Sequence, residues 1–452
     1  MKVLLASQAI AGHFNPMTGI GVRLKDEGHD VRWYTGRTLA GRLDELGIPH
    51  YPFDRAIEHT GDNLNELYPE RARLKGPMAI RFDGERIFAS NVTSFFEDIR
   101  DVYQRFPFDA VVMDNSMFIQ RLVAVVLGKP VVSFVAIGNM ESDPLVPPLF
   151  FGFSPARTPA HKILHAGARL VSDQFVTKPA RTSYARQLQA YGLQTPRGTP
   201  ITDETYRWSH AIIQTGTASL DFPRRNINPK VHYVGALLPH RAGADTAADT
   251  ATDAAAAASP AADARQPTAA PGTYRRTVVV TQGTVDNRDP AKLLIPTIEA
   301  LKDTDSLIVV ATGGANTEEL RRRYPQPNVV VEDYVDFARV FPFTDVFVTN
   351  GGFGGVLLSL SHGVPLVTAG LNEGKSDVNA RVAYAGVGVN LKTETPSAAA
   401  VRSAVETVLG DPSWRERAQA MRGQFEAEDS VGAAVEVIKA AVGAGGTPGV
   451  GG

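Results

Sequence analysis

The sequence predicts an α/β protein made of two doubly wound parallel-sheet domains facing each other across a cleft. Three observations carry this. Short Val-rich runs alternate with helical stretches, the same rhythm restarts after the middle of the chain, and an Ala-rich segment without large apolar side chains separates the halves. Strands that alternate with helices form βαβ units, which build parallel sheets through right-handed crossovers. Apolar runs without polar alternation fit strands covered on both faces. The chain has 452 residues, enough for two cores, and its 43% hydrophobic residues can fill them.

The elements follow in order. KVLLAS (2–7) reads as a buried strand, a helical pattern runs from Pro16 to Gly28, and HDVRWYTG (29–36) is a second strand. The unit returns with DAVVMDN (109–115), a helix over 117–127 and KPVVSFVAIG (129–138). In the second half, strands are expected at 277–284, 306–314, 328–335, 345–352 and 364–370. Helices are expected at 290–302, 354–361, 377–386 and, past the last strand, 412–441.

The domain limits come from composition. From Ala242 to Pro271, 15 of 30 residues are Ala, and Leu, Ile, Val and aromatics are absent, so the segment cannot offset its ordering entropy by burial. Pro260, Pro267 and Pro271 would interrupt any helix there. The expected division is a first domain over 1–235, a flexible linker over 236–275, a second domain over 276–411 and a disordered Gly-rich tail over 442–452.

Charge and residue usage exclude several functions. Lys plus Arg total 46 against 48 for Asp plus Glu, a net charge of -2, which argues against nucleic-acid binding through phosphate neutralisation. The absence of cysteine excludes disulfides, thiolate catalysis, zinc fingers and iron–sulfur clusters. No run approaches the roughly 18 apolar residues of a membrane span. The N-terminal stretch lacks a signal-peptide pattern, so a cytoplasmic location is expected.

In doubly wound sheets ligands bind beyond the carboxyl ends of the strands, so the chemistry is sought in those loops. His13, in GHFNP after the first strand, is placed to act as a base near neutral pH; elsewhere a lone His is a packed or solvated residue. Asp114 ends DAVVMD. As a carboxylate ending a buried strand it needs a partner, either the next helix as an N-cap or His13 as the acid of a dyad. TNGGFGG (349–355) lies between a strand and a helix, and its Gly351, Gly352, Gly354 and Gly355 suit a diphosphate held by backbone N–H groups; a tight turn alone would need fewer glycines. Gly283 and Thr284 end another strand of that half. Tyr334, with Val335 beside it, offers a ring to stack on a base, or a core tyrosine. Other motifs fail. GLNEGKS has Ala369 where a GxxxxGK[ST] loop needs glycine, no GxGxxG follows the first strand, and Asp303-Thr304-Asp305 precedes a strand rather than following one.

GHFNP, the Asp of DAVVMD, and TNGGFGGVLLSLSHGVPLVTAG with NARVAYAGVGVNL behind it resemble the nucleotide-sugar-dependent glycosyltransferases of family 1. The likeness is nearest to bacterial enzymes acting on macrolides, flavonoids and other natural products, and it spans all but the linker and tail. It implies two Rossmann-like domains in the GT-B arrangement. It also implies an inverting, metal-independent transfer without a cofactor, the nucleotide sugar (UDP-glucose expected, dTDP-sugar the alternative) being a co-substrate.

The resemblance assigns roles residue by residue. His13 matches the general base and Asp114 its acid; Gly283, Thr284, Tyr334, Val335 and the 351–355 glycines match donor contacts; and the 412–441 helix would brace the first domain. Three positions depart from the pattern: Asn350 stands for a His, Leu358 for a ribose-binding Glu, and Lys375-Ser376 for an Asp–Gln pair, with Glu373 nearby as a substitute. A lipophilic acceptor is expected near Asn15, Met117, Phe118, Met140 and Phe150. The remaining partners expected are none in nucleic acid or membrane, and either a monomer or a homodimer fits. The rival readings are a nucleotide-sugar epimerase on the same fold and a non-catalytic partner protein.

Overall fold

Seven parallel strands form the sheet of the first domain in the computed structural model, which describes residues 1–61, 63–74, 76–240, 273–283, 287–372 and 374–444. They are β1 (Lys2–Ala6), β2 (Asp30–Thr35), β3 (His50–Pro52), β4 (Ala110–Asp114), β5 (Val131–Val135), β6 (Ala211–Gln214) and β7 (Val231–Tyr233), in the order β3-β2-β1-β4-β5-β6-β7. The second domain has β8 (Arg276–Thr281), β9 (Ser306–Ala311), β10 (Val329–Glu332), β11 (Val346–Thr349), β12 (Leu366–Thr368) and β13 (Gly388–Asn390), in the order β10-β9-β8-β11-β12-β13. These pairings are parallel throughout, as the βαβ rhythm requires. Most of the expected linker, 241–272, and the tail from 445 lie outside the described residues.

Each sheet separates two cores because successive strand residues point to opposite faces. Leu4, Ala6, Val111 and Met113 pack on one side of the first sheet with Phe95, Phe96 and Ile99, while Val3, Leu5, Val112 and Val132 pack on the other with Ile20 and Leu24. Every residue of β4, β5 and β9 is buried, which is why their sequences read as continuous Val-rich runs.

Two helical expectations differ in detail. The helix expected from Pro16 begins earlier, as a turn at Ala11–Phe14 and a 3₁₀ turn at Asn15–Met17, before the helix Thr18–Asp26. Pro16 sits at the start of the 3₁₀ turn, where its missing N–H costs nothing. The stretch 412–441 is two helices, Ser413–Glu426 and Ser430–Ala444. Asp429 forces the break, since its carboxylate accepts the Gly432 N–H at 2.9 Å and caps the second helix. The helix Ser413–Glu426 packs Ala418, Met421 and Phe425 into the second domain, and Ser430–Ala444 packs Ala434, Val435, Ile438 and Ala441 into the first. The latter enters the first domain's core, while the former meets that domain through Gln424, whose amide oxygen accepts from the Thr217 and Ser219 hydroxyls at 2.8 and 2.5 Å.

The chain therefore crosses between domains twice. Leu237 lies in the first domain's core and Leu238 in the second's, but His240 is again held by the first domain, its N–H donating to the Thr18 hydroxyl at 2.8 Å and its carbonyl accepting from Arg42 at 2.8 Å, so the passage to the second domain lies outside the described residues; the return passes through 427–429. The return touches the first domain at Gly235, where a Cβ would meet the Ser430 side chain. Among the described residues no helix is long and apolar enough to cross a membrane.

Candidate active site

The strand orders fix where ligands can enter. In the first sheet the chain winds outward in one direction from β1 and in the other from β4, so the crevice lies beyond the carboxyl ends of that adjacent pair. In the second sheet the equivalent pair is β8 and β11. The carboxyl ends of the two sheets face each other. The helix after β11 sets Phe353 against Gly216, which follows β6, and the helix Lys375–Tyr384 after β12 sets Arg381 against Gly138, which follows β5.

His13 and Asp114 meet at the first crevice. His13 Nδ1 lies 2.8 Å from Asp114 Oδ2, and the two side chains are 23% and 2% exposed. Asp114 is held on its other side, because Ser116 N–H donates to Oδ1 at 3.0 Å and Ser116 O–H to Oδ2 at 2.9 Å. The carboxylate therefore caps the turn Asn115–Met117 and also faces the imidazole; the two readings of Asp114 are not exclusive. Burial disfavours the charged forms, but the charge and hydrogen bond of each partner outweigh it. The His13 pKa is raised above its ordinary 6.5, and that of Asp114 is lowered. His13 Nε2 has no hydrogen-bond partner among the described residues and belongs to a partly exposed ring.

The glycine turn occupies the second crevice. Gly351 has φ +88 and packs so closely that a Cβ would overlap the Asn379 amide oxygen; Gly370, across the turn, would overlap the Asn350 carbonyl. Asn379 is fully buried and donates to the Asn350 and Gly370 carbonyls at 3.3 and 2.9 Å. The helix Phe353–Ser361 begins here, and Val356 N–H is its first internally bonded donor, so the N–H groups of Phe353, Gly354 and Gly355 have no partner among the described residues. Three free donors at the positive end of a helix dipole suit an anion.

Several expected residues stand differently. Asn350 is buried, donates to the Gln282 carbonyl and accepts the Gly352 N–H at 3.3 Å, so its amide ties the turn to the end of β8 from beneath. Val335 is 2% exposed in the second domain's core, which leaves only its backbone for any ligand contact. Met117 is fully buried in the first domain's core, because the turn capped by Asp114 directs it inward. Leu358 is core as well.

Others lie at strand ends. Tyr334, after β10, is half-buried with its hydroxyl against Gly314, and Gly283 follows β8 at φ +74. Lys375 is 8% exposed, with its stem near Gly370. Phe118, Met140 and Phe150 are partly buried in loops after β4 and β5, and Asn15 is 5% exposed. Thr284 and Glu373 lie outside the described residues. Sequence reasoning missed Ser116, whose Asp-x-Ser spacing is a signal for a capped turn, and Asp377, Asn379 and Arg381, which carry none.

The family described as erythromycin biosynthesis protein CIII-like, C-terminal domain, matches residues 296–442. The chain is 32% identical over 443 residues to the 4'-demethylrebeccamycin synthase of Lentzea aerocolonigenes, covering 98% of this chain and 99% of that one. It is 26% identical to UDP-glycosyltransferase 2 of Phaeomoniella chlamydospora, covering 95% and 93%. Among solved structures, the glycotransferase of kitacinnamycin superposes with a TM-score of 0.72 at 17% identity over 97% of this chain and 98% of that one. CalG4, the calicheamicin glycosyltransferase, superposes with a TM-score of 0.68 at 20% identity over 98% of each.

Proposed function

The chain belongs to the nucleotide-sugar-dependent natural-product glycosyltransferases of the GT-B fold, and from that membership we propose an inverting, metal-independent transfer of glucose from UDP-glucose to a hydroxyl of a lipophilic small molecule. A dTDP-sugar is the alternative donor. The UDP in the name of the Phaeomoniella relative supports the first choice.

The observation that carries this reading is the buried Asp114 carboxylate 2.8 Å from His13 Nδ1, with Nε2 left without a partner. Asp114 fixes the tautomer that puts the lone pair on Nε2 and stabilises the imidazolium once it forms. Nε2 takes the acceptor's hydroxyl proton as the oxygen attacks the anomeric carbon on the face opposite the leaving diphosphate. That displacement inverts the anomeric centre. The diphosphate leaves as an anion whose added charge is met by the N–H groups of Phe353, Gly354 and Gly355 and by the helix dipole, donors already in place before reaction. Met140, Phe150 and Phe118 supply apolar contact for the acceptor.

The test is mass spectrometry of products from nucleotide-sugar donors crossed with phenolic and macrolide acceptors. A mass gain of one hexose that appears only when both substrates are present is expected. Conversion of the donor alone to an isomer would instead make the protein an epimerase.

A further inference from the structure

The loop that follows β5 is held by the second domain. Asp377 and Arg381 are four residues apart on the helix Lys375–Tyr384 and therefore share one face of it. Arg381 takes the start of the loop. Its guanidinium donates to the Asn139 carbonyl at 3.0 Å, pairs with Asp221 at 2.8 Å and lies over the Phe222 ring at 4.5 Å. Asp377 takes the end. One carboxylate oxygen accepts the Phe150 N–H at 2.5 Å and the other accepts the Gly152 N–H at 2.9 Å. Within this second grip the chain turns through Phe150 at φ +70 and Gly152 at φ +63, and a Cβ on Gly152 would press on Ser376. A non-glycine residue at positive φ persists only where its surroundings hold it. Met140 and Phe150, two side chains expected against the acceptor, sit directly at the two grips.

We propose that Asp377 is a positioning residue for the acceptor: by chelating two amides of the loop after β5, it makes the shape of the acceptor pocket depend on the helix that flanks the donor turn. This rests on the transferase reading above. The carboxylate touches neither substrate; it acts through the Phe150 and Gly152 backbone. Its loss should loosen the acceptor's seat and let water compete for the sugar, while the glycine turn, held separately by Asn379 and Asn350, keeps its affinity for nucleotide.

The test is Asp377→Ala in the full chain, with three readouts. Hydrogen exchange at the Phe150 and Gly152 amides should accelerate, the acceptor KM should rise about tenfold or more with a larger fraction of donor hydrolysed, and the UDP dissociation constant measured by calorimetry should stay within about twofold. Asp377→Asn, which keeps one acceptor oxygen, should fall between Ala and wild type, and it serves as the variant if Ala folds poorly. Unchanged exchange at these amides, or a loss of UDP affinity in step with the acceptor effect, overturns the proposal. A wild-type protein that transfers no sugar counts against the transferase reading alone, since the exchange readout needs no turnover.

Discussion

His13 Nδ1 lies 2.8 Å from Asp114 Oδ2 because β1 and β4 are adjacent parallel strands, with Ala6 level with Met113, so Asp114 at the end of β4 and the turn Ala11–Phe14 that follows β1 share one carboxyl edge. The carboxylate's second oxygen is already committed to the turn it caps. The imidazole is thus oriented by a group that cannot itself swing away.

The first prediction follows from that fixity. His13→Ala should lower kcat by about 10²- to 10⁴-fold, the usual contribution of a general base, with little change in UDP binding. Steady-state kinetics beside calorimetry checks it; near wild-type turnover in the variant defeats the assignment.

The pH profile gives a second. A base must be deprotonated, and the Asp114 charge raises the His13 pKa against the opposing effect of burial. Log kcat/KM should therefore climb with pH and level off only above a midpoint higher than 6.5. In Asp114→Asn the charge is gone and burial remains, so the midpoint should move down while the plateau falls. A profile whose midpoint does not shift in the variant would show that another group titrates.

Gly351→Ala supplies a third. A Cβ at φ +88 carries strain on the order of 1–3 kcal/mol, and it would overlap the Asn379 amide oxygen. Weaker binding of UDP by tenfold or more is expected, about 1.4 kcal/mol for each factor of ten, at nearly unchanged acceptor binding. Calorimetry with UDP decides it.

The buried Asp221–Arg381 pair gives a fourth. Both side chains are 4% exposed, so Asp221→Ala should cost about 3–5 kcal/mol by stranding the guanidinium. Urea unfolding measures it, read at the transition that reports domain docking. Because the Asp221 pKa is lowered in the folded protein, with its Arg partners outweighing burial, the pair's contribution is present above the ordinary carboxylate range. It is lost as pH falls through that lowered value. The wild-type advantage over the variant should accordingly shrink in acid.

The parallel two-sheet architecture and the strand-end position of the candidate residues were legible in the sequence for a positional reason. A residue at the end of a Val-rich run, or in the loop after it, lies at a carboxyl edge, which placed Asp114 and the glycine turn there, and His13 in the turn beyond β1, without knowledge of the packing. What was not legible depends on which way a side chain turns just beyond the edge. Met117 and Val335 lie one to three residues past the useful positions and point into cores. Asn350 is occupied by a carbonyl of the neighbouring strand's loop, which sequence spacing cannot reveal. Asp377 and Arg381 acquire their partners in the first domain only when the domains dock, so within their own helix they read as ordinary polar residues.

The contact between Gly235 and Ser430 ties the first domain to the segment by which the chain returns from the second. Any parting of the helix Lys375–Tyr384 from the loop after β5 must release Arg381 from Asn139 and Asp377 from Phe150 together, so the two grips share one fate.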